Sequence, residues 1–546
     1  MNIAASILKP IAMAAGWHAS AQAKAFFRAC RNTRQAQEEL RIQLVRASAD
    51  SRFGADHGLG RVRSYEDFVS AVDVGDYEAR RAYLDRVFRG EPEALFAPGT
   101  PILMYAVTSG TTGTPKHIPV TARFLADYTR GWNIFGLLLL SEHPSAWLKK
   151  VVTIVSPACQ DRSPTGAPCG AISGMLRESQ KWIVRRMYPV PRAVSEIRDP
   201  DAKYYTLVRS AITRDVGVIT TANPSSVIRI ATAARDNAER LIRDIRDGTC
   251  SPPGESCEAV RGLKFLPDRR SARRLERIVR RHGELLPRHF WNLRFMAHWL
   301  GGTLGLYLPR LRAMCGDVPI RDIGLLASEG RLSIPLADNT PEGVAEITSN
   351  FLEFIPADQH GSDSPDILRA HQVERGQEYF LVVSNWAGLL RYAIDDRVRV
   401  TDFCGDCPMF EFLSRGRHCC SITGEKITEH QVVAAMDAAA RTAGVHVDTF
   451  ILQGHFADPP YYELRMEPVE GADADQLARG MDRQLCRLNV EYEGKRHSGR
   501  LGPIHVTVTA PGDLTRDEVR QLAAGGAGEQ FKHKYLMTHV LQDGGL

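Results

Sequence analysis

No stretch of the chain comes near the ~20 consecutive apolar residues that a helix needs to cross a bilayer, so a soluble protein is expected and a membrane partner is not. Charge of one sign is also scarce. The 69 basic and 64 acidic side chains leave a net charge of +5, too small an excess over this length to hold nucleic acid electrostatically. Cysteine lacks a pattern: 11 residues, an odd number at irregular spacing, argue against a secreted disulfide framework and suit reduced thiols in a cytoplasm. There is no internal repeat and no low-complexity tract, so a repeat array is not expected.

What is present is an ordinary globular composition, 44% hydrophobic and 24% charged, with 45 glycines and 30 prolines. At 546 residues the chain exceeds what one hydrophobic core organises, so two or more domains are expected, one large and one small. Near the start, Lys9, an apolar segment over 11–17 and a small-residue run ending at Ala23 imitate a secretory signal. His18 interrupts it and the segment is short, so an amphipathic first helix is expected instead. The basic run over 269–281 sets seven arginines beside Leu275, Ile278 and Val279 at helical spacing, a solvated helix face rather than a polyanion site.

Apolar positions at helical intervals over 20–50 open the chain with helices. A short apolar run over 102–107 ends in a Ser/Thr/Gly cluster, which reads as a strand delivering a loop. Another over 151–155 leads into the Gly/Pro-rich stretch 163–174, expected to be a long loop. Asn223-Pro224-Ser225 caps a helix running through Val227 and Ile230, and 248–258 reads as a polar surface excursion. Strands are expected over 323–327, 344–354, 379–383 and 397–403. After Phe412 the alternation restarts, with helices over 429–441 and 473–488 and strands over 449–452, 461–466 and 504–508. The fold class is therefore α/β, and the restart marks a separate small domain.

The most specific local signal is Tyr105-Ala106-Val107-Thr108-Ser109-Gly110-Thr111-Thr112-Gly113-Thr114-Pro115-Lys116. Two glycines let the backbone turn its N–H groups inward, hydroxyls add donors and a lysine adds a compact positive charge, a combination suited to polyphosphate. It is not a Walker A loop, because two residues rather than four separate Gly110 from Gly113 and no Gly-Lys-Ser/Thr follows. The segment resembles the signature loop of the adenylate-forming superfamily of acyl-CoA synthetases, peptide-synthetase adenylation domains and firefly luciferase.

Further phrases resemble one branch of it, the Gretchen Hagen family of acyl-acid amido synthetases. They are Ser51-Arg52-Phe53-Gly54, Tyr65-Glu66-Asp67-Phe68, Asp76-Tyr77-Glu78 and Phe88-Arg89-Gly90-Glu91 before the loop. After it come Gly305-Leu306-Tyr307-Leu308-Pro309, Asn350-Phe351-Leu352-Glu353-Phe354, Gly388-Leu389-Leu390-Arg391-Tyr392 and Gln530-Phe531-Lys532. The resemblance runs in the family's order over nearly the whole chain.

It implies an N-terminal domain of mixed sheets with helices over 1–414 and a small mobile α/β domain over 415–546. It implies ATP and Mg2+ as cofactors. A carboxylic acid would be converted to an acyl-adenylate with loss of pyrophosphate, and the acyl group passed to an amino acid or other amine. Thr108, Ser109, Gly110, Thr111, Thr112 and Gly113 would cradle phosphates beside Lys116. In Leu325-Leu326-Ala327-Ser328-Glu329 the resemblance makes Ser328 a phosphate contact and Glu329 the metal ligand. Asp396 would take the ribose hydroxyls, Arg415 belongs to the nucleotide contacts at the hinge, and Lys426 and Lys532 are the lysines expected at the α-phosphate. Leu325 stands where the family has tyrosine, Asp395 where it has glycine, and Lys534-Tyr535 where it has Pro-Arg.

A cytoplasmic monomer acting on small molecules is expected. Cys404 and Cys407, followed by His418, Cys419 and Cys420, offer a competing zinc reading, disfavoured because the adjacent pair is hard to fit on one tetrahedron. Transfer to coenzyme A or a carrier thiol, and a non-catalytic acid-binding module, are the rival functions.

Overall fold

The structure, a computed structural model, describes residues 18–108, 116–180, 182–197, 199–253, 258–301, 307–362, 364–416, 419–420, 422, 425, 427–457, 459–497, 501–514, 516 and 533–542. The segment imitating a signal lies mostly outside them. The chain divides into two compact units, Met1–Leu300 with Arg310–Phe412, and Gly301–Pro309 with Leu413–Leu546. Helices and strands mix in both, as the α/β expectation requires.

The largest sheet of the first unit runs in the order Ser333–Ile334, Gly343–Ala345, Cys407–Arg415, Leu389–Cys404, Glu378–Asn385, Asn350–Pro356, Leu368–Arg369. The strand expected over 344–354 divides in two. The intervening turn is held by the Glu346 carboxylate, whose Oε2 accepts from the Ser349 N–H at 2.8 Å. A second sheet, Lys150–Thr153, Val216–Thr220, Phe295–Ala297, Ile320–Arg321, is entirely parallel. Its strands show the continuous apolar burial of a sheet covered on both faces, Val216, Ile219, Met296 and Ala297 being inaccessible.

The third sheet is ordered Lys116–Thr121, Ile102–Thr108, Pro168–Gly170, Asp161–Arg162. It corrects the loop expected over 163–174, which instead holds one of these strands and the start of the helix Ile172–Ser179. Two of its glycines misled for a physical reason: Gly170 and Gly174 serve close packing rather than freedom. A Cβ on Gly170 would lie 2.5 Å from the Ala158 carbonyl oxygen, and one on Gly174 2.4 Å from the Ala158 nitrogen. The arginine-rich helix Arg269–His282 buries Ala272 and Leu275 and is capped by the Asp268 side chain on the Ser271 N–H.

In the second unit the sheet order is His505–Val508, Tyr461–Met466, Phe450–Phe456, Leu536–Gln542. Tyr461–Met466 alternates half-buried and buried positions, the period of a sheet with one packed face. The helix Glu429–Ala443 starts in a Thr428/Gln431 capping box and stops at Gly444, whose φ of 71° costs glycine nothing. It packs against Ala474–Leu488 where Gly480 meets Ala439; a Cβ at Gly480 would lie 2.9 Å from that alanine's own. The last strand, Leu536–Gln542, was not anticipated.

Candidate functional site

Strand Ile102–Thr108 buries Met104, Tyr105 and Ala106 and fastens the Tyr105 hydroxyl to the Val87 carbonyl at 2.7 Å. Its antiparallel partner begins at Lys116, which pairs in register with Thr108. Residues 109–115, with the candidates Ser109, Gly110, Thr111, Thr112 and Gly113, lie outside the described residues, but both ends of the loop are held by sheet pairing. Lys116 is half-buried, its Nζ 5.4 Å from the centroid of the Tyr77 ring. That ring is itself fixed, its hydroxyl accepting from the His117 N–H at 3.1 Å. Burial pushes the Tyr77 phenol up, so it stays neutral beside the lysine.

Ser328 and Glu329 form the tip of a tight hairpin in which Ala327 pairs with Gly330 and Leu326 with Arg331. The Glu329 carbonyl accepts from Asn385 Nδ2 at 2.6 Å, and Asn385 Nδ2 also reaches Asn350 Oδ1 at 3.1 Å. Asn350 Nδ2 in turn donates to the Arg331 carbonyl at 2.8 Å. Two buried asparagines on adjacent strands thus hold the turn and the second strand of the hairpin by their carbonyls and fix the backbone that bears the glutamate. The Glu329 side chain is 2% exposed; Oε1 accepts from the Tyr392 hydroxyl at 3.4 Å and Oε2 has no hydrogen-bond partner. A buried carboxylate with an oxygen left open is costly unless a cation or donor supplied by a ligand compensates it.

Tyr392 belongs to the long strand Leu389–Cys404, which breaks register with Glu378–Asn385 at two places. One lies between the pairs Val383–Tyr392 and Asn385–Leu389, the other between Phe380–Arg397 and Val382–Ala393. Left-handed residues mark both: Arg391 at φ 48° and Asp395 at φ 66°. Asp395 therefore keeps the backbone conformation that a glycine would have supplied, because a short polar side chain tolerates this region, and His360 Nε2 meets its Oδ1 at 3.0 Å. The bulges re-aim the strand. Asp396, next to the second, is buried.

Arg391 turns away from the site. It forms a buried ion pair with Glu353 at 3.2 Å and donates to the Val72 carbonyl at 2.8 Å, while Tyr65 donates to the same glutamate at 2.8 Å. The phrases 350–354 and 388–392 are thereby tied together. Sequence reasoning assigned no role to Asn350, Asn385 or Tyr392, although all but Asn385 stood inside quoted phrases.

Lys426 and Lys532 lie outside the described residues, as do the side chains of Thr108 and Arg415. Cys404 and Cys407 neighbour Cys30 in the first unit, while Cys420 is buried in the core of the second. Among the described residues, the metal-type trio is Glu142, His143 and Asp338, where Arg321 already pairs with both carboxylates.

The fold is that of a solved acyl acid amido synthetase, GH3.15, matched with a TM-score of 0.81 over 94% of this chain and 92% of that one, at 20% identity. The chain matches the GH3 family N-terminal domain over residues 22–320, the central domain over 344–415 and the C-terminal domain over 430–540, and it belongs to the GH3 family. Similar proteins include a jasmonoyl–L-amino acid synthetase of Nicotiana attenuata, 24% identical over 91% of this chain and 90% of that protein. Another is a 4-substituted benzoates–glutamate ligase of Arabidopsis thaliana, 24% identical over 86% of each.

Proposed function

We propose that this chain is an ATP-dependent acyl-acid amido synthetase built as an N-terminal adenylate-forming domain, 1–414, and a C-terminal domain, 415–546. An oxygen of the acid attacks the α-phosphorus of ATP, the C–O–P bond forms and pyrophosphate leaves. The nitrogen of an amino acid or other amine then attacks the acyl carbon, the C–N bond forms, and AMP leaves with the bonding pair while the nitrogen sheds its proton.

The observation that carries this reading is the Glu329 carboxylate, buried with one oxygen open and joined through Tyr392 to the segment bearing Asp396. A non-catalytic pocket for an organic acid has no use for a buried anion there. The open oxygen fits a magnesium ion, which would neutralise phosphate charge when bound. Lys116 supplies a positive charge at the end of the phosphate loop, the asparagines hold the backbone that bears the carboxylate, and the Tyr392 hydroxyl orients the carboxylate itself. Ser328 would contact phosphate and Asp396 the ribose; Arg415, Lys426 and Lys532 complete the proposed nucleotide site. Free thiols at Cys30, Cys159, Cys169, Cys250, Cys315, Cys404, Cys407 and Cys486 suit a reducing compartment, and we assign the cytoplasm.

Pyrophosphate and AMP release from MgATP, measured across a panel of acids with amino acids, coenzyme A or neither, tests the reading. Turnover raised by amino acids is expected, falling by about 10²-fold or more in Lys116→Ala and in Glu329→Gln. Stimulation by coenzyme A alone would move the protein to the thiol ligases, and no acid-dependent release above the variants would remove the catalytic reading.

A further inference from the structure

Arg331 follows Glu329 by two residues, on the hairpin strand Gly330–Arg331 that leaves the turn bearing the glutamate. Arg331 is 3% exposed. Its Cδ occupies space taken from the helix Ala122–Glu142: a Cβ on Gly131 would lie 2.4 Å from it. The guanidinium stacks on Trp132 at 4.6 Å and Phe135 at 5.2 Å from their ring centroids. Only Nη2 is used, donating to the Ile323 carbonyl at 2.9 Å. Nε and Nη1 have no acceptor, and the indole Nε1 of Trp132 has none either.

The carboxylates that attract this cation are occupied elsewhere. Asp322 accepts from the Leu300 and Gly324 N–H groups at 2.6 Å each, and Glu346 from Ser349 and Thr348. Burial pulls the guanidinium down to about 10, which still leaves it charged at neutral pH. Tyr128, one helical turn from Trp132, feels both the Arg331 and the Glu329 charges, so the donors and the open carboxylate belong to one neighbourhood. A core arginine is normally given acceptors for its donors. Here three donor nitrogens on two residues face none, and a ligand that brings an oxygen anion would satisfy them.

We propose that Arg331 and Trp132 form the far end of the acid pocket and bind an anionic oxygen group on the substrate's tail, so that the acid activated is a dicarboxylic or similarly acid-tailed one. The proposal rests on the amido-synthetase reading for the acid's other end, the carboxylate that reacts near Glu329.

Two matched pairs test it, adipate against hexanoate and terephthalate against 4-methylbenzoate, each assayed for pyrophosphate release and titrated calorimetrically without ATP. The wild type is expected to favour the diacid of each pair by about 10²-fold in kcat/KM, because pairing buried donors discriminates strongly against an analogue that leaves them bare. The ratio collapses towards one in Arg331→Met and falls partway in Trp132→Phe, which keeps a ring and removes only the N–H. Should Arg331→Met fail to melt cooperatively, Trp132→Phe carries the comparison. A wild-type ratio near or below one, or an unchanged ratio in both variants, overturns the proposal and leaves the arginine a packing residue with water on its donors. Diacid binding that depends on Arg331 without pyrophosphate release from any acid would uphold the pocket and sink the amido-synthetase reading; release from monoacids alone would do the reverse.

Discussion

At the scale of single residues, the site depends on buried charges placed by bulges. Arg391 and Glu353 are 2% and 0% exposed and make one ion pair across the intervening strand, with Tyr65 donating to the glutamate and the Val72 carbonyl accepting from the arginine. Removing one partner of such a pair leaves an uncompensated charge, a loss of about 3–5 kcal/mol. Glu353→Gln is therefore expected to lower the urea midpoint strongly. The double variant Glu353→Gln with Arg391→Met should lose less than the sum of the two single changes, and additive losses would show that the pair is not coupled. Much of this was legible as phrases and little of it as roles. Glu353 and Arg391 were quoted in two separate segments, but their pairing follows from strand order, which periodicity does not report. Asp395 was flagged as a departure from glycine, and only a backbone angle of 66° shows that the turn tolerates it.

Among elements, the parallel sheet Lys150–Thr153, Val216–Thr220, Phe295–Ala297, Ile320–Arg321 was the least legible. Its central strands are three to five residues long and covered on both faces, so they carry no alternation to detect. In contrast, Tyr461–Met466 and the helices Glu429–Ala443 and Ala474–Leu488 each have one wet face, and their expected bounds agree closely with those observed. The carboxyl end of the parallel sheet carries a group with a measurable consequence. His298 directly follows Phe295–Ala297 and is wholly buried; its Nδ1 donates to the Trp299 carbonyl at 2.9 Å and its Nε2 has no partner. Burial, opposed in part by the Trp299 carbonyl, pulls the imidazole down to about 4. An unfolded chain takes up this proton near pH 6.5, whereas the folded one refuses it until near pH 4. The stabilisation is thus intact above pH 6.5 and is lost as pH falls towards 4, by about 3 kcal/mol in all. Urea unfolding between pH 4.5 and 7.5 should show this slope in the wild type and a flatter one in His298→Asn. Parallel slopes would mean that the folded ring titrates normally.

For the molecule as a whole, two hydrophobic clusters with no residue in common determine how it unfolds. One gathers Phe68, Met104, Ile118, Leu352, Val383 and their neighbours in the first unit; the other gathers Met436, Phe450, Leu464, Met481 and theirs in the second. Cooperativity arises from shared burial, so separate clusters are expected to melt as separate transitions, as multi-domain chains commonly do. Leu352 and Met481 are fully buried, one in each cluster. Truncating either to alanine leaves a cavity that costs about 2–5 kcal/mol. Scanning calorimetry should resolve two transitions, with Met481→Ala lowering the midpoint of one and Leu352→Ala that of the other. If both substitutions shift a single transition equally, the two clusters fold as one cooperative unit, and the division of the chain into separately stabilised halves is wrong. The same experiment repeated with MgATP connects stability to the site, because a ligand stabilises only the unit that binds it, by an amount set by its concentration relative to its affinity. The transition that moves with Leu352→Ala contains Lys116, Glu329 and Asp396, so MgATP must raise it, and Glu329→Gln must blunt that rise.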